Sequence, residues 1–222
     1  VKLRIPSKTG IKRRVVVARE TTLRELARSQ ARKRLSNSLP KHAKVQLGCG
    51  EHSFDGWVNI DINRAVDPDV RLDLRAGFPA PAKSVAFIFS EHVFEHLTLD
   101  DGRRVFIDCY SALEQAGVMR IAMPDLRYIT ERYMEGRYEG EGGPEAQLDV
   151  DYQSIDSPTL LFNFALRSWG HRYLYDFAEL DLRLRQAGFA KVEPQQNGKS
   201  LHSELIGLEQ RGESRLIVEA TK

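Results

Sequence analysis

The chain has 222 residues, of which 41% are hydrophobic and 29% charged, and a formal net charge of +2. Its length suits one α/β domain with decorations. No apolar run approaches the ~20 residues of a membrane-spanning helix, and 2 cysteines are too few for a disulfide framework.

The near-neutral total hides an asymmetry. Residues 1–44 hold 14 Lys/Arg against 2 Glu, whereas the remaining 178 residues hold 19 Lys/Arg against 29 Asp/Glu. A basic arm therefore precedes an acidic body. The chain begins with Val1, and no apolar stretch follows its basic start. It is expected to be a trimmed piece or part of a longer protein, without a secretory signal and cytoplasmic.

In the arm, residues 1–43, Leu3, Ile5, Ile11 and Val15–Val17 flank Ser7-Lys8-Thr9-Gly10. That run has turn composition, and a small hairpin is expected. Thr22-Leu23-Arg24-Glu25 reads as a capping box. A basic helix should follow to about Leu35, with a thin stripe of Leu23, Leu26, Ala27 and Ala31, before Asn37 and Pro40 end it. The arm has three readings: it steers an anionic acceptor, it docks on a second subunit (a homodimer) or a neighbouring domain, or it is a solvated leader. It lacks interleaved aromatics, which argues against nucleic acid.

The body, residues 44–222, alternates. Strands are expected at 44–48, 57–62, 69–73, 85–90, 117–123, 190–194 and 214–220, and helices at 99–115, 125–136, 157–168 and 175–187. Gly117 reads as a helix stop. The alternation predicts an α/β, Rossmann-like, doubly wound, mostly parallel seven-stranded sheet with an antiparallel edge strand. The last two strands lack a helix between them and should pair antiparallel. Only Glu51–Gly56 separates the first two strands. That is too short for an ordinary crossover, so the first helix must be abbreviated or replaced by a turn. Residues 127–172 form a variable insertion on the substrate side. Within it, 137–157 is rich in Gly, Glu and Asp and reads as a mobile lid or substrate loop, or as a disordered stretch.

The most informative run is Lys44-Val45-Gln46-Leu47-Gly48-Cys49-Gly50, followed by Trp57-Val58-Asn59-Ile60-Asp61-Ile62. It reads as a strand, a glycine turn and a second strand ending in a carboxylate that can bind a ribose diol. The dinucleotide fingerprint wants a third glycine where this chain has Ser53, and a later acid than Asp61. No P-loop run occurs. The pattern fits a nucleoside cofactor without phosphate, S-adenosylmethionine being the common one. A tight turn in a non-catalytic sheet would need the same glycines. Ligands of open α/β sheets bind beyond the carboxyl ends of the strands. Collected there are Gly48–Gly50, Asp61, Asp73, Ser90-Glu91-His92 and Asp125, so four of the five expected ends carry an acid.

The order VQLGCG…GWVNIDI, LDLRAGFPAPAKSVAFIFSEHVFEHL, MRIAMPDL, HRYLYDFAELDLRLRQAGF and RLIVEATK resembles class I SAM-dependent methyltransferases. It is most similar to a small bacterial group found beside glycan and polysaccharide genes. The resemblance covers residues 44–222. It implies a transferase that uses S-adenosyl-L-methionine, with Gly48, Cys49 and Gly50 under the cofactor and Asp61 on the ribose. It also implies Ile62 on the adenine, Asp73 and Leu74 at the adenine amino group, and Ser90, Glu91 and His92 lining the methyl donor. A sugar or glycan hydroxyl is the implied acceptor, in polysaccharide biosynthesis.

Methyl transfer needs an aligned nucleophile and, for a hydroxyl, a general base. His92 is the first candidate for that catalytic role and His171 the second. His92-Val93-Phe94-Glu95-His96 also fits H-x-x-E-H, a metalloprotease signature, although here it follows a buried strand. It resembles too the E-x-x-E-H metal site of some small-RNA 2′-O-methyltransferases, with His92 in place of the first Glu. The bland reading makes Glu95 and His96 a cap or brace for the following helix, and no residue is assigned to a metal. The competing functions are an RNA or small-molecule methyltransferase, metal-assisted or not, and a non-catalytic SAM-binding module of a larger protein.

Overall fold

The computed structural model describes residues 8–137 and 155–222. Seven strands form one sheet: β1 (Ala43–Leu47), β2 (Val58–Asp61), β3 (Val70–Arg71), β4 (Val85–Glu91), β5 (Leu113–Met123), β6 (Lys191–Pro194) and β7 (Leu216–Thr221). Their order is β3-β2-β1-β4-β5-β7-β6. The first five are mutually parallel, and β7 runs antiparallel to both β5 and β6. The fold is the doubly wound α/β class expected. The antiparallel strand lies one place in from the edge, with short β6 outside it.

β1 and β2 pair in parallel although no helix joins them. A turn does the work. The buried Asn59 side chain accepts from Phe54 N–H (2.9 Å), donates to the Phe54 carbonyl (3.2 Å) and reaches Asp69 (3.0 Å). That internal network replaces the crossover helix.

The helices are α1 (Lys8–Ser38), α2 (Leu99–Ala112), α3 (Leu126–Met134), α4 (Pro158–Arg167) and α5 (Phe177–Ala187). α1 corrects the expected hairpin over its described part. From Ile11 to Ser38 the sequence has no Gly or Pro, so a helix once nucleated propagates through Thr22 and the supposed cap. Residues 1–7 of the hairpin lie outside the described residues. The expected stripe is corrected too: Leu23 and Leu26 are exposed, while Ala31 and Leu35 are buried. The helix docks on this chain's own acidic body. Arg28 forks onto Asp108 (2.6 and 2.5 Å) and donates to the Ala76 carbonyl (3.2 Å), and Arg24 lies 3.4 Å from Asp101. A Cβ at Gly77 would fall 2.1 Å from Arg28 Nη1, so only glycine leaves room for the guanidinium.

Successive residues of a strand face opposite sides. Val45, Leu47, Val85 and Ile88 join the main core with Val105, Phe106 and Cys109 of α2 and Leu180 and Leu184 of α5. Phe89 and Val118 join a smaller core with Trp57 and Leu205. That second core is closed by the segment between β6 and β7. Arg120, fully buried on β5, fastens it: the guanidinium bonds Glu209, Glu219 (2.6 Å) and the carbonyls of Lys199 (2.9 Å) and Gln196 (3.0 Å). Two carboxylates and two carbonyls around one cation satisfy a charge that would otherwise be costly to bury.

α2 ends at Ala112, and the chain enters β5 at once, so Gly117 is within a strand and not a helix stop. The register jumps there from Val85↔Leu113 to Phe87↔Val118. The insertion is closed at its base, where Leu126 N–H donates to the Tyr175 carbonyl (2.9 Å). Most of the expected lid, residues 138–154, lies outside the described residues. Among the described residues, no helix is long and apolar enough to cross a membrane.

Candidate active site

Strand order reverses between β1 and β4, and the cleft opens beyond their carboxyl ends, as the topology requires. Its volume is about 960 Å³. Gly48, Cys49 and Gly50 form its floor, Asp61, Ile62, Asp73 and Leu74 one side, and Glu91, His92, His96 and His171 the other. Ten of the eleven residues named for cofactor binding or catalysis therefore converge; Asp125, also expected at the rim, instead caps α3 through Arg127 N–H (2.9 Å) and does not line the cleft. The exception among the eleven is Ser90. It is fully buried, paired with Leu47 across β1–β4, and does not line the cleft. Alternation along β4 puts Ser90 on the face of Ile88, in the main core, while Phe89 and Glu91 take the opposite face.

Gly48 adopts φ +73, and an added Cβ would lie 2.2 Å from Val93 Cγ2. Its N–H donates to the Ile60 carbonyl (2.7 Å), which seats the turn against β2. Asp61 is held by two backbone donors, Gly50 N–H on Oδ2 (2.8 Å) and Asn63 N–H on Oδ1 (2.6 Å). Each oxygen keeps a lone pair for a ligand. Ile62 is 50% exposed beside it, an apolar surface offered to a ligand. Cys49 is buried, and burial reinforced by the Asp61 carboxylate pushes its thiol pKa up.

Asp73 caps the turn Leu74–Ala76 through Arg75 N–H (2.9 Å), and the Arg75 guanidinium forks onto it (2.7–3.0 Å). Burial opposes ionisation, but the bonds from Arg75 outweigh it and hold the carboxyl below its ordinary range. Glu91 is likewise spent: it accepts from Gln210 N–H (2.8 Å), Arg211 N–H (3.1 Å) and the Ser214 hydroxyl (2.9 Å). It ties the segment before β7 to the cleft. Sequence reasoning missed Gln210 and Arg211, which line the cleft; nothing local marks them.

His92 has φ +51, a left-handed conformation for a non-glycine residue, which costs on the order of 1–3 kcal/mol and tends to occur at functional sites. Its Nε2 lies 3.1 Å from Ser214 Oγ, and its Nδ1 lies 3.1 Å from Glu95 Oε1. The Ser214 proton goes to Glu91, so Nε2–H donates to Ser214 in this arrangement. Glu95 does not cap α2; Thr98 does, through Asp101 N–H (3.2 Å). The Glu95 backbone carbonyl accepts instead from Arg172 (2.7 Å) and Tyr173 (3.2 Å). These bonds bring the Ser168–Gly170 turn and His171 against the β4 end. His171 Nδ1 lies 2.7 Å from the Ala165 carbonyl. A carbonyl only accepts, so Nδ1 carries the proton and Nε2 the lone pair. The His96 and His171 rings meet edge to face at 5.0 Å. Burial, the largest influence, holds His96 below its ordinary pKa and keeps it neutral at pH 7.

No protein-family model and no curated protein matches the chain. Solved structures of similar shape exist. A SAM-dependent methyltransferase of Archaeoglobus fulgidus is 15% identical, with 90% of this chain and 94% of that chain covered and a TM-score of 0.49. A SAM-dependent methyltransferase of Thermotoga maritima is 17% identical, covering 94% and 97%, also at 0.49. An S-adenosylmethionine-dependent methyltransferase of Mesorhizobium loti is 18% identical, covering 83% and 94%, at 0.44.

Proposed function

We propose that this chain is an S-adenosylmethionine-dependent methyltransferase acting on a hydroxyl of a sugar or glycan. The observation that carries the reading is the meeting of the glycine turn, Asp61 and exposed Ile62 in one cleft at the switch point. Asp61 is preset by two backbone donors to take the ribose diol, and Ile62 covers one face of the adenine. Glu51, Asp61, Asp73 and Glu91 line the cleft together with Arg75, Arg172 and Arg211, and Arg75 is already spent on Asp73.

The acceptor enters from the side of the insertion, where half-exposed Trp169 stands beside His171 (5.6 Å between rings) and offers an apolar face to a sugar ring. The acceptor oxygen attacks the methyl carbon, the sulfonium–methyl bond breaks, and the hydroxyl proton leaves. Once the acceptor hydroxyl replaces Ser214 as its partner, His92 in the tautomer with its proton on Nδ1, beside Glu95, takes that proton through the lone pair of Nε2. Glu95 at Nδ1 stabilises the imidazolium formed. The assignment to polysaccharide biosynthesis rests on the sequence resemblance alone.

Calorimetry with S-adenosylmethionine, followed by labelled methyl transfer to nucleotide sugars, oligosaccharides and RNA, tests the reading. Asp61→Ala should weaken cofactor binding by roughly 100–10,000-fold, for two lost charge-assisted hydrogen bonds. His92→Ala should keep cofactor affinity and lose turnover. Unchanged binding in Asp61→Ala would remove the cofactor assignment, and transfer only to RNA would replace the acceptor.

A further inference from the structure

We propose that Glu95, His96 and His171 bind one divalent first-row transition-metal ion at the wall of the cleft. The three side chains each bring one ligand atom to within 4.8 Å of the others. Neighbouring ligands of a tetrahedral ion with bonds of ~2.1 Å sit about 3.4 Å apart, so small side-chain rotations complete the set.

Three features separate this cluster from incidental proximity. The first is Glu95 itself. Its residue is 0% exposed, and neither carboxylate oxygen has a hydrogen-bond donor among the described residues. His92 Nδ1 is near, at 3.1 Å, but not in hydrogen-bond geometry. A buried carboxylate without donors is costly unless a cation neutralises it. The second is the tautomer of His171. Its Nδ1–H is fixed on the Ala165 carbonyl (2.7 Å), which aims the lone pair of Nε2 away from the backbone. That is the arrangement in which a ligating histidine is oriented from behind. The third is the backbone clamp. Arg172 N–H and Tyr173 N–H both bond the Glu95 carbonyl, so the insertion that carries His171 is fastened at the residue that supplies the carboxylate.

Two imidazoles and one carboxylate favour Zn²⁺ or Co²⁺ over Mg²⁺ or Ca²⁺, which prefer all-oxygen sites. Three protein ligands leave a coordination position open. His96 and His171 both line the cleft, so that position is available to water or to an oxygen of the acceptor. Only this last use of the ion rests on the methyl-transfer reading; its binding does not.

The test uses the full, tag-free chain, stripped with EDTA and titrated with Zn²⁺ by calorimetry and with Co²⁺ by visible absorption, without cofactor or acceptor. One ion per chain with a dissociation constant at or below micromolar is expected, together with a rise in melting temperature. His171→Ala and, independently, His96→Ala should weaken binding by at least about tenfold, while His42→Ala, at an exposed histidine on the far strand end, should not. Circular dichroism shows which variants fold. Absence of saturable binding to the wild type overturns the proposal. So does affinity retained in any folded variant of the two. A failure here leaves cofactor binding by Asp61 untouched.

Discussion

Gly48→Ala separates two reasons for a glycine under the cleft. One is conformational: at φ +73 a Cβ meets the backbone unfavourably, costing about 1–2 kcal/mol. The other is steric: the new methyl would stand 2.2 Å from Val93 Cγ2, with Val93 Cβ and Cγ1 at 3.5 and 3.7 Å. Overpacking of this kind typically costs about 1–3 kcal/mol. Gly48→Ala should therefore destabilise the protein by about 2–5 kcal/mol. Val93→Ala removes Cγ2 and leaves a contact at ordinary van der Waals distance. Alone it should cost about 1 kcal/mol, since Val93 is only partly buried against the core. In the double variant the clash is gone and the backbone cost remains. Urea unfolding of the four proteins reads the coupling directly. A favourable coupling of about 1–3 kcal/mol is expected. Additivity within about 0.5 kcal/mol would refute the steric argument, and a fully stable Gly48→Ala would refute both.

Arg120→Met leaves Glu209 and Glu219 buried without their cation and should cost about 3–5 kcal/mol. Arg24→Ala breaks an ion pair whose arginine is 57% exposed and should cost less than about 1 kcal/mol. Comparable losses in thermal melts would mean that Arg120 does not fasten the second core. Both thiols are buried, and burial raises the pKa of each, well above the ordinary value for Cys109. Neither should react with a disulfide reagent at pH 8 in the native protein, and both should react in denaturant. Rapid labelling of native Cys49 would show a floor of the cleft more open than described.

The elements of the body were legible because each rests on local chemistry. β4 is a run of apolar residues, Val85 to Phe89, long enough to cross a sheet. α5 opens at Asp176, which accepts from Glu179 N–H (2.8 Å), and closes on Gly188 at φ +116. The glycine turn and Asp61 were legible for the same reason: strand, turn and carboxylate are contiguous. The arm was misread because turn composition at Ser7–Gly10 is a weak signal against a long segment free of helix breakers.

What the sequence determined by itself is the alternation of strands and helices, the missing first crossover, and the set of residues at the strand ends. Tertiary structure alone decided how those residues are used. Register turned Ser90 into the core. Packing committed Asp73 to Arg75 and Glu91 to the segment before β7, and it docked α1 through Arg28 on Asp108. It also joined His171 to Glu95 and His96 across a long stretch of chain. Local pattern acts through neighbours a few residues away, so it specifies which chemistry is present. Pairing between distant segments depends on the shape into which all of them pack.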